Sequence, residues 1–398
     1  MVFSTDRQPP LERWLPRLLK VWRGPSSELP EGSLTTSEAD RVAAGVRELS
    51  KGLTGQRELA GAGYLANDDL LGAYLLYYWP VSFAQTLSAL RKGELRRGTK
   101  ALDLGSGPAP GALALLEAGW TKVTAADRSQ PALDKAQQLA QLGGFPLTTV
   151  RWSAEEEDLP AGGPWELVLL GHFLNELAPG KSDRIERRAA LLKKIQAQLA
   201  PGGVILLIEP ASHGPNAEVL ALRDLMVKEN WGVLGPCFYQ KSCPALAAGA
   251  ACHDLLPWKV PHIVAQTARR AAIDKRELPF TWLAFRPAGA VKVDSAHYRV
   301  LSEPMLNKAG RKRVLVCGEA GRFSLSASGA FRSPLWLNLR RGDALRIENP
   351  EIRESGWGIG AQTRLSSVSA SPSGPSREPR SSAIPKAPEE LGPFAKPK

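Results

Sequence analysis

Apolar and polar positions change their period along this chain. From residue 100 onward, short apolar runs alternate with segments in which apolar residues recur at helical spacing. The first pattern is typical of buried strands and the second of amphipathic helices. Five β–α repeats of this kind predict an α/β fold with a parallel, doubly wound sheet. The predicted strands are Ala101–Leu104, Lys122–Ala126, Thr148–Trp152, Glu166–Leu170 and Val204–Ile208.

The residues before these repeats are predicted to form a helical N-terminal region over 1–95. Residues 1–35 are rich in proline and are predicted to be irregular, and a helix is predicted to begin near Ser37. The segment Leu70–Leu90 has no charged residue and is long enough to span a bilayer. Because Pro80 interrupts this segment, we interpret it as two buried helical pieces and expect no membrane association.

The pattern changes again toward the C-terminus. A helix is predicted over Asn216–Trp231 and a late sheet strand over Pro279–Phe285, which assigns 96–290 to the α/β domain. Residues 291–363 are predicted to form a small β-rich subdomain, because short apolar runs alternate there with glycine, serine and proline. Residues 364–398 are mainly serine, proline and alanine, which predicts a disordered tail. The strand candidates of the subdomain are Arg313–Cys317, Phe323–Ala327, Leu335–Leu339 and Ala344–Ile347.

The composition is that of a soluble globular protein with a basic sector. Apolar residues make up 43% of the 398 positions and charged residues 23%, which are ordinary values for a globular chain. No apolar run follows the N-terminus, so no signal peptide is predicted and we expect a cytoplasmic protein. The net charge is +11, and the segment Arg286–Arg353 contains 13 basic and 6 acidic residues. Such a sector favours a polyanionic partner, usually nucleic acid, with a merely soluble basic surface as the alternative.

A glycine-rich turn follows the first predicted strand. Gly105, Gly107 and Gly111 lie between that strand and an alanine-rich apolar helix. Asp103 lies just before the turn, and Asp127 ends the next strand, 24 residues later. Such a turn lets the main chain approach a nucleotide closely, and a carboxylate at the second strand is placed to bind ribose hydroxyls. We therefore predict a nucleotide-type cofactor site at these five residues, with a purely structural glycine turn as the alternative.

Cysteine occurs at only four positions. Cys237, Cys243 and Cys252 fall in the segment 232–262, and Cys317 follows later; the intervening stretches are 5, 8 and 64 residues long. Disulfides are not expected in a cytoplasmic protein. Four thiolates can hold a zinc ion or an iron–sulfur cluster, and zinc sites usually use Cys-x-x-Cys pairs that are missing here. The spacing favours a cluster over zinc, and four unrelated buried thiols are the third alternative.

Several motifs together resemble one family. The sequence Asp-Leu-Gly-Ser-Gly, with a Pro-Gly-Gly before a late strand, resembles class I S-adenosylmethionine-dependent methyltransferases. The cysteines with their Cys-Pro and Cys-His dipeptides, and an Arg-Gly-Asp near residue 342, are similar to the methyltransferase-like small-ribosomal-subunit assembly family, which is known from mitochondria and has many bacterial relatives. This resemblance extends from Tyr64 to Asp343, and the cysteine pattern is its most specific part. The motifs are Asp103–Gly107, Leu174–Leu177, Glu209–Pro210, the four cysteines and Arg341–Asp343.

The resemblance implies a class I methyltransferase domain, Rossmann-like in fold, with a helical N-terminal region, a cysteine-ligated insertion and a β-rich C-terminal subdomain. It implies that Cys237, Cys243, Cys252 and Cys317 ligate a 4Fe–4S cluster, with zinc as the alternative metal. It also implies that the carboxylates and glycines of the turn line an S-adenosylmethionine pocket: Asp103, Gly105, Gly107, Gly111 and Asp127.

The chain departs from the pattern at two places. Ala109 stands where active relatives of the superfamily commonly have glycine, and its β-carbon is placed to crowd the methionine part of the cofactor. The loop between Cys237 and Cys243 contains Phe238 and Tyr239 instead of an expected polar pair.

Polar residues after the fourth predicted strand are the catalytic candidates. His172, Asn175 and Glu176 lie where methyltransferases place groups that orient the substrate. Methyl transfer needs the donor held in line with a nucleophile and often no strong base, so structural roles for all three stay open.

Four cations before the last cysteine are the candidates for RNA contact. Small-subunit rRNA is the partner that the resemblance implies, and we predict that Lys308, Arg311, Lys312 and Arg313 contact its phosphates.

We therefore predict an S-adenosylmethionine-binding, iron–sulfur methyltransferase-like protein that acts on small-subunit rRNA as a monomer. One alternative is a non-catalytic rRNA-binding assembly factor with the same fold. The other is a small-molecule methyltransferase in which the basic sector is incidental.

Overall fold

The computed structural model describes residues 10–24, 27, 32–52, 65, 67–154, 158–273, 275–287, 291, 293–308, 310–354 and 356–368. A π-helical turn (Tyr74–Tyr78) and a 3-10 turn (Leu174–Glu176) supplement the α-helices. Among the described residues, no helix is long and apolar enough to cross a membrane. The α-helices are α1 (Pro10–Arg23), α2 (Thr36–Ser50), α3 (Asp68–Ala73), α4 (Trp79–Lys92), α5 (Pro110–Glu117), α6 (Gln130–Gly143), α7 (Arg184–Gln196), α8 (His213–Lys228), α9 (Pro244–Ala247), α10 (His262–Ala271) and α11 (Pro334–Leu337).

The first sheet is parallel over β1 to β5 and doubly wound. Its order is β3-β2-β1-β4-β5-β8-β6; β8 is antiparallel to β5 and β6, and β7 also pairs with β8. This Rossmann-like order confirms the predicted fold class. The strands are β1 (Gly98–Leu104), β2 (Trp120–Asp127), β3 (Leu147–Arg151), β4 (Trp165–Gly171), β5 (Leu199–Pro210), β6 (Gly232–Gly235), β7 (Asp254–Pro257) and β8 (Glu277–Arg286).

Different helices cover the two faces of this sheet. In β4, Leu167 and Leu169 pack into a core that includes residues of α1, α4, α5 and α6. Val168 and Leu170, on the opposite face, pack into a core that includes residues of α7 and α8. Successive side chains of a strand point to opposite faces, so a strand buried on both sides is a continuous apolar run. The sheet edge at which β1, β2, β4 and β5 end is left for the site.

The N-terminal region differs from the prediction, because residues 10–23 form α1 rather than an irregular segment. Trp14 and Leu18 are completely buried, and the Trp14 ring lies 5.5 Å from that of Trp79 in α4. The burial of these side chains outweighs the effect of Pro16 inside the helix. The next helix begins where predicted, with Thr35 as its N-cap in a capping box with Glu38.

The uncharged segment 70–90 is helical throughout, with a change of helix type before Pro80. The main-chain N–H of Trp79 donates to the carbonyl of Tyr74, five residues back, so the turn 74–78 is a π-helix. Proline lacks an N–H and its ring clashes with the carbonyl four residues back. A wider turn ahead of Pro80 lets the chain enter α4 without that clash, since π turns are a known way to absorb such irregularities.

The second sheet confirms a β-rich subdomain but corrects its details. Residues 334–337 form α11, not the predicted strand 335–339, because Pro334 occupies a first helical position. Residues 364–367 pair with β13 instead of starting a disordered tail, and the partly buried Leu365 packs on the core of this sheet. The rest of the predicted tail, 369–398, lies outside the described residues. The strands are β9 (His297–Val300), β10 (Met305–Leu306), β11 (Lys312–Gly318), β12 (Gly321–Ala327), β13 (Ala344–Glu348), β14 (Glu351–Arg353), β15 (Gly356–Gly358) and β16 (Arg364–Ser367), in the order β14-β15-β12-β11-β9-β13-β16 with β10 beside β11.

Candidate functional site

Main-chain hydrogen bonds hold the glycine loop between β1 and α5 against β2. The N–H groups of Gly105 and Ser106 both donate to the carbonyl of Ala126, at 2.8 and 3.1 Å. Gly105 and Gly107 have φ angles of +69° and +53°, in the left-handed region that favours glycine. Ala109 also has a positive φ of +56°, a conformation that glycine would adopt with less strain.

Two buried carboxylates, those of Asp103 and Asp127, accept hydrogen bonds from main-chain N–H groups that could otherwise bind a phosphate. Asp103 Oδ2 accepts from the N–H of Ala112, in the first turn of α5, at 2.7 Å. Asp127 Oδ2 accepts from the N–H of Gly107 at 2.8 Å. The first residue of α5 is Pro110, which has no N–H to donate. The loop is therefore suited to a cationic or neutral ligand rather than to the pyrophosphate of a dinucleotide.

The pKa of Asp103 is raised to about 8, mainly by burial; the hydrogen bond from the Ala112 amide opposes this shift, and the charge of Asp127 adds to it. Burial also raises the pKa of Asp127. Both groups would gain from a nearby positive charge, because a cation stabilises a carboxylate that has lost its water. A cationic ligand at this loop would supply that charge.

The hydroxyl of Tyr74 lies close to Gly107 of the glycine loop. Burial, followed by the charges of Glu176, Asp127 and Asp103, raises the pKa of this half-buried tyrosine. A β-carbon on Gly107 would lie 4.0 Å from the Tyr74 Oη. Glu176, a predicted catalytic residue, and the two cofactor-site aspartates therefore all lie within electrostatic range of the Tyr74 hydroxyl.

His172 lies at the carboxyl end of β4 with a positive φ of +57°. Its Nε2 is 2.8 Å from Gln85 Oε1, and Gln85 Nε2 is 3.5 Å from the carbonyl of Pro279. With its nitrogen on that carbonyl, Gln85 presents its oxygen to the imidazole, which assigns the proton to Nε2 and leaves Nδ1 as an acceptor. Burial, and then the charge of Lys275, lowers the pKa of His172 to about 4, so the ring is neutral at physiological pH.

Asn175 has a structural partner. Its Nδ2 donates to the carbonyl of His172 at 2.9 Å and to Glu209 Oε2 at 2.8 Å. Glu209 is the second-last residue of β5, is completely buried, and accepts from the N–H of Leu174 at 2.8 Å. Burial raises the pKa of Glu209 to about 7, with the Asn175 hydrogen bond opposing the shift. This pair ties the turn after β4 to the end of β5 and fixes the backbone of His172.

The four cysteines line one cavity. Cys237 follows β6, Cys243 caps α9, and Cys252 precedes β7, whereas Cys317 comes from β11 of the second sheet. All four thiols are free. Within the described part of the chain, no set of three or more His, Cys, Asp or Glu side chains converges closely enough to hold a single metal ion.

Helix α8 positions two of the cysteine loops. The Asp224 carboxylate accepts from the N–H of Cys243 at 2.9 and 2.8 Å. Asn216 holds Cys252 from both sides of its main chain: Nδ2 donates to the Cys252 carbonyl at 2.8 Å, and Oδ1 accepts from its N–H at 3.1 Å. Because side chains of one helix bind the main chain of both loops, the two thiols are held in fixed positions relative to α8.

Two buried arginines face the thiols. Arg223 Nη2 lies 3.7 Å from Cys237 Sγ, and Arg299 Nη1 lies 3.4 Å from Cys252 Sγ. Their exposed fractions are only 1% and 5%, and the Nε of each has no hydrogen-bond partner among the described residues. Burial raises the pKa of Cys252 and Cys317, and the neighbouring thiols raise it further. Four thiols that line one cavity are the donor type that thiolate-bound metal groups use.

A glycine contact joins the second sheet to this site. Gly342, with a φ of +86°, lies so close to Asp254 that a β-carbon would collide with Oδ1 of that residue. Asp254 is buried, pairs with Lys92 of α4 at 2.9 Å, and accepts from Trp282 Nε1 at 2.7 Å. The Arg-Gly-Asp motif is therefore a packing contact between the two sheets.

The departure at Phe238 also has a structural explanation. Its side chain is buried with Ala344 and Val368 and contacts the ring of His297 at 5.6 Å between centroids. An apolar residue at this position therefore packs the cysteine loop against the second sheet.

Three of the four predicted RNA-contacting cations are exposed, and the fourth is not. Lys308, Arg311 and Arg313 lie on the hairpin that joins β10 to β11. Lys312 is 8% exposed, and its ammonium donates to the carbonyls of Trp336 and Leu337. Its prediction as a phosphate contact is therefore corrected, because the alternation of β11 turns it inward.

Several site residues gave no signal in the sequence. Gln85 and Tyr74 come from the uncharged segment 70–90. The pattern of that segment predicted only helices and no site residue. Arg223 and Arg299 lie 14 and 47 residues from the cysteines that they face. The spacing of residues in the sequence predicts contacts only within a helix turn or between paired strands. Contacts between residues this far apart in the sequence depend on how the whole chain folds.

The chain is similar to a known protein family and to several solved structures. A family model described as mitochondrial small ribosomal subunit Rsm22 matches residues 72–329. Among solved structures, the chain is similar to magnesium protoporphyrin IX methyltransferase (ChlM) from Synechocystis PCC 6803 with bound SAM, at 14% identity over 62% of this chain and 97% of that one, with a TM-score of 0.35. It is also similar to the ribosomal protein L11 methylase from Lactobacillus delbrueckii subsp. bulgaricus, at 12% identity over 52% and 78% of the two chains, with a TM-score of 0.31. No curated protein matches the sequence significantly.

Proposed function

Because the chain belongs to the mitochondrial small ribosomal subunit Rsm22 family, we propose that it binds S-adenosylmethionine at the glycine loop and methylates rRNA of the small ribosomal subunit. The family description supports the link to the small subunit. The doubly wound sheet with antiparallel β8 supports the methyltransferase fold. Action on rRNA itself is the further step that we propose.

The observation that carries the cofactor assignment is the capture of two loop amides by Asp103 and Asp127, at 2.7 and 2.8 Å. A phosphate would have to displace these side chains, whereas a ligand with a positive sulfonium and ammonium group would stabilise the ionised form of both carboxyl groups. When bound, S-adenosylmethionine supplies an electrophilic methyl group on a positively charged sulfur.

The chain's own residues would orient the nucleophile. His172 presents Nδ1 as a hydrogen-bond acceptor for an N–H or O–H of the substrate, since Gln85 occupies Nε2 at 2.8 Å. Its lowered pKa keeps it neutral, so it positions the nucleophile and adds no positive charge beside the donor. Asn175 and Glu209 hold the backbone that carries His172.

The four cysteines would hold the 4Fe–4S cluster, with zinc as the alternative metal. The support for this proposal is the shared cavity, which thiols from both sheets line. When bound, such a group would connect the segment 237–252 to β11 through metal–thiolate bonds.

The exposed cations of the β10–β11 hairpin would contact rRNA. Lys308, Arg311 and Arg313 lie on this hairpin with their side chains in solvent, as phosphate-contacting groups require.

A non-catalytic assembly factor is the second candidate function. The observation that favours it is Ala109, a completely buried residue in left-handed conformation at the start of α5, where its β-carbon adjoins the cofactor loop.

Methyl-labelled S-adenosylmethionine with immature small subunits separates these functions. Label in rRNA, lost in a His172→Asn variant, is the expected result. Cofactor binding without transfer of label supports the assembly factor, and label in a small molecule alone supports the small-molecule methyltransferase. Failure to bind S-adenosylmethionine would overturn the proposal.

A further inference from the structure

The two buried arginines at the cysteine cavity have no role in the chemistry described above. Each guanidinium uses separate N–H groups for a carboxylate and for a thiol. Arg223 Nη1 pairs with Asp224 at 2.6 Å, while its Nη2 faces Cys237 Sγ at 3.7 Å. Arg299 Nη2 is 3.9 Å from Asp254, while its Nη1 faces Cys252 Sγ at 3.4 Å.

Burying these two cations is costly unless the site contains negative charge. A buried guanidinium with an unpaired Nε costs free energy because water is gone and no acceptor replaces it. The nearby carboxylates compensate this charge only in part: Asp224 pairs with Arg223 and also accepts from the N–H of Cys243, and Asp254 is shared between Arg299, at 3.9 Å, and Lys92, at 2.9 Å. The cavity side of each guanidinium faces sulfur atoms.

We infer that Arg223 and Arg299 are the charge-compensating residues of the cysteine site, and that they set the metal affinity and the reduction potential of the group bound there. This inference rests on the proposed function, because it needs the four thiolates to carry a metal group. Four thiolates around Zn²⁺ or around a 4Fe–4S core with charge 2+ both leave a net charge of 2−, so two guanidiniums match either metal. Hydrogen bonds and charges near ligating sulfurs are known to tune such groups.

The alternative is that both arginines serve only packing. Arg223 donates to the carbonyls of Tyr239 and Lys241, so it also holds the loop after Cys237. A test must therefore separate charge from shape. Arg188 provides the control, since it is equally buried at 2% exposure and pairs with Glu218 at 2.8 Å, but does not line the cavity.

The experiment compares the full-length protein with Arg223→Gln, Arg299→Gln, Arg299→Lys and Arg188→Gln. Metal retention is measured by chelator competition, and for an iron-containing protein the midpoint potential is measured by redox titration with optical and EPR detection. We expect both glutamine variants to bind metal about 10- to 100-fold more weakly, as outer-shell losses do. Their potential should fall, because added electron density loses its cationic neighbour, and Arg299→Lys should recover most of both properties.

The outcomes separate the two levels of the proposal. A wild-type protein that takes up neither iron nor zinc on reconstitution overturns the cysteine proposal and this inference with it. If the wild type binds metal but both glutamine variants retain it like the wild type and like Arg188→Gln, only the inference fails. If the metal is zinc, the chelator competition alone decides, and unchanged retention overturns the inference. An Arg299→Lys variant that behaves like Arg299→Gln would show that shape, not charge, is responsible.

Discussion

A β-carbon at position 111 would lie 2.7 Å from Oδ2 of Asp103, so this helix position has room only for glycine while the Asp103 carboxylate keeps its place. The Asp103 side chain holds the N–H of Ala112 from that place. Because Gly111 has no β-carbon, α5 can approach β1 closely enough for the Asp103 carboxylate to bind the first turn of the helix.

Gly111→Ala is expected to lower the free energy of unfolding by about 1–3 kcal/mol, because an overpacked side chain must displace Asp103 or Leu169. It should also weaken S-adenosylmethionine binding. Chemical denaturation and calorimetric titration provide the measurements. Gly214→Ala is the matched control, since Gly214 is likewise the second residue of a helix, but a β-carbon there would meet no atom within 4 Å. Equal losses in both variants would contradict the role of Asp103.

Asp103→Asn should change how stability depends on pH. The pKa of Asp103 is raised to about 8 in the folded state from an ordinary value of 3.8, so the folded protein holds a proton that the unfolded chain releases. Wild-type stability should therefore fall as the pH rises from about 4 to about 8. Asparagine keeps the acceptor for Ala112 and has no proton to hold, so the decline should become shallower.

Urea denaturation at several pH values between 5 and 8 measures this slope. Asp134→Asn, at an exposed position of α6, should leave the slope unchanged. An unchanged slope in Asp103→Asn would indicate that Asp103 is ionised in the folded protein.

Asn175 and His172 should separate stability from activity. Asn175→Ala leaves Oε2 of the buried Glu209 without this donor, which should cost about 1–3 kcal/mol of stability.

His172→Asn keeps a residue type that tolerates the left-handed backbone and removes the imidazole. Stability should therefore be nearly unchanged, while the rate of methyl transfer falls about a hundredfold because the nucleophile is no longer oriented. Thermal denaturation and single-turnover kinetics check both. Full activity in His172→Asn would remove it from the site.

The hairpin cations should determine the salt dependence of RNA binding. Replacing Lys308, Arg311 and Arg313 together by alanine should reduce the slope of log K against log salt by about 0.7–0.9 for each lost phosphate contact. The control replaces three exposed lysines of the first sheet's domain: Lys122, Lys194 and Lys228. A triple variant with the wild-type slope would place the RNA contact elsewhere.

Cys317→Ser should release the metal from a site that the other three cysteines cannot complete. We expect iron to fall from about four atoms per chain to a small fraction, and visible absorption with it. Val316→Ala, at the neighbouring position of β11, shortens a buried side chain outside the cavity and should retain the iron. Unchanged metal content in Cys317→Ser would exclude this cysteine as a ligand.

The strands around the cofactor loop could be predicted because they are buried on both faces and are continuous apolar runs. Their carboxyl ends then placed Asp103, Asp127 and His172 at one edge of the sheet. Helix α1 and strand β16 could not be predicted, since their stability comes from distant partners: Trp14 packs on Trp79, and Leu365 pairs with Ile347. Propensity is a weak prior that such tertiary contacts override.

At the cysteine site, too, some features could be predicted from the sequence and others could not. Their spacing favoured a shared site, and the structure gathers them around one cavity. The spacing had no information on Arg223 or Arg299, because a charged residue in a helix or strand is ordinarily a solvated one. Lys312 was misassigned for the same reason: only the pairing of β11 shows which side of the strand faces inward.

Helix α4 has one end at each site. At its first residue, Trp79 Nε1 donates to the carbonyl of Pro108 in the glycine loop at 3.0 Å, and at its last, Lys92 pairs with Asp254 beside the cysteine cavity. Fourteen residues of α-helix span about 20 Å. The length of α4 therefore sets the distance between the glycine loop and the cysteine cavity. A structural change at one site would reach the other through α4 as a tilt or shift of the whole helix.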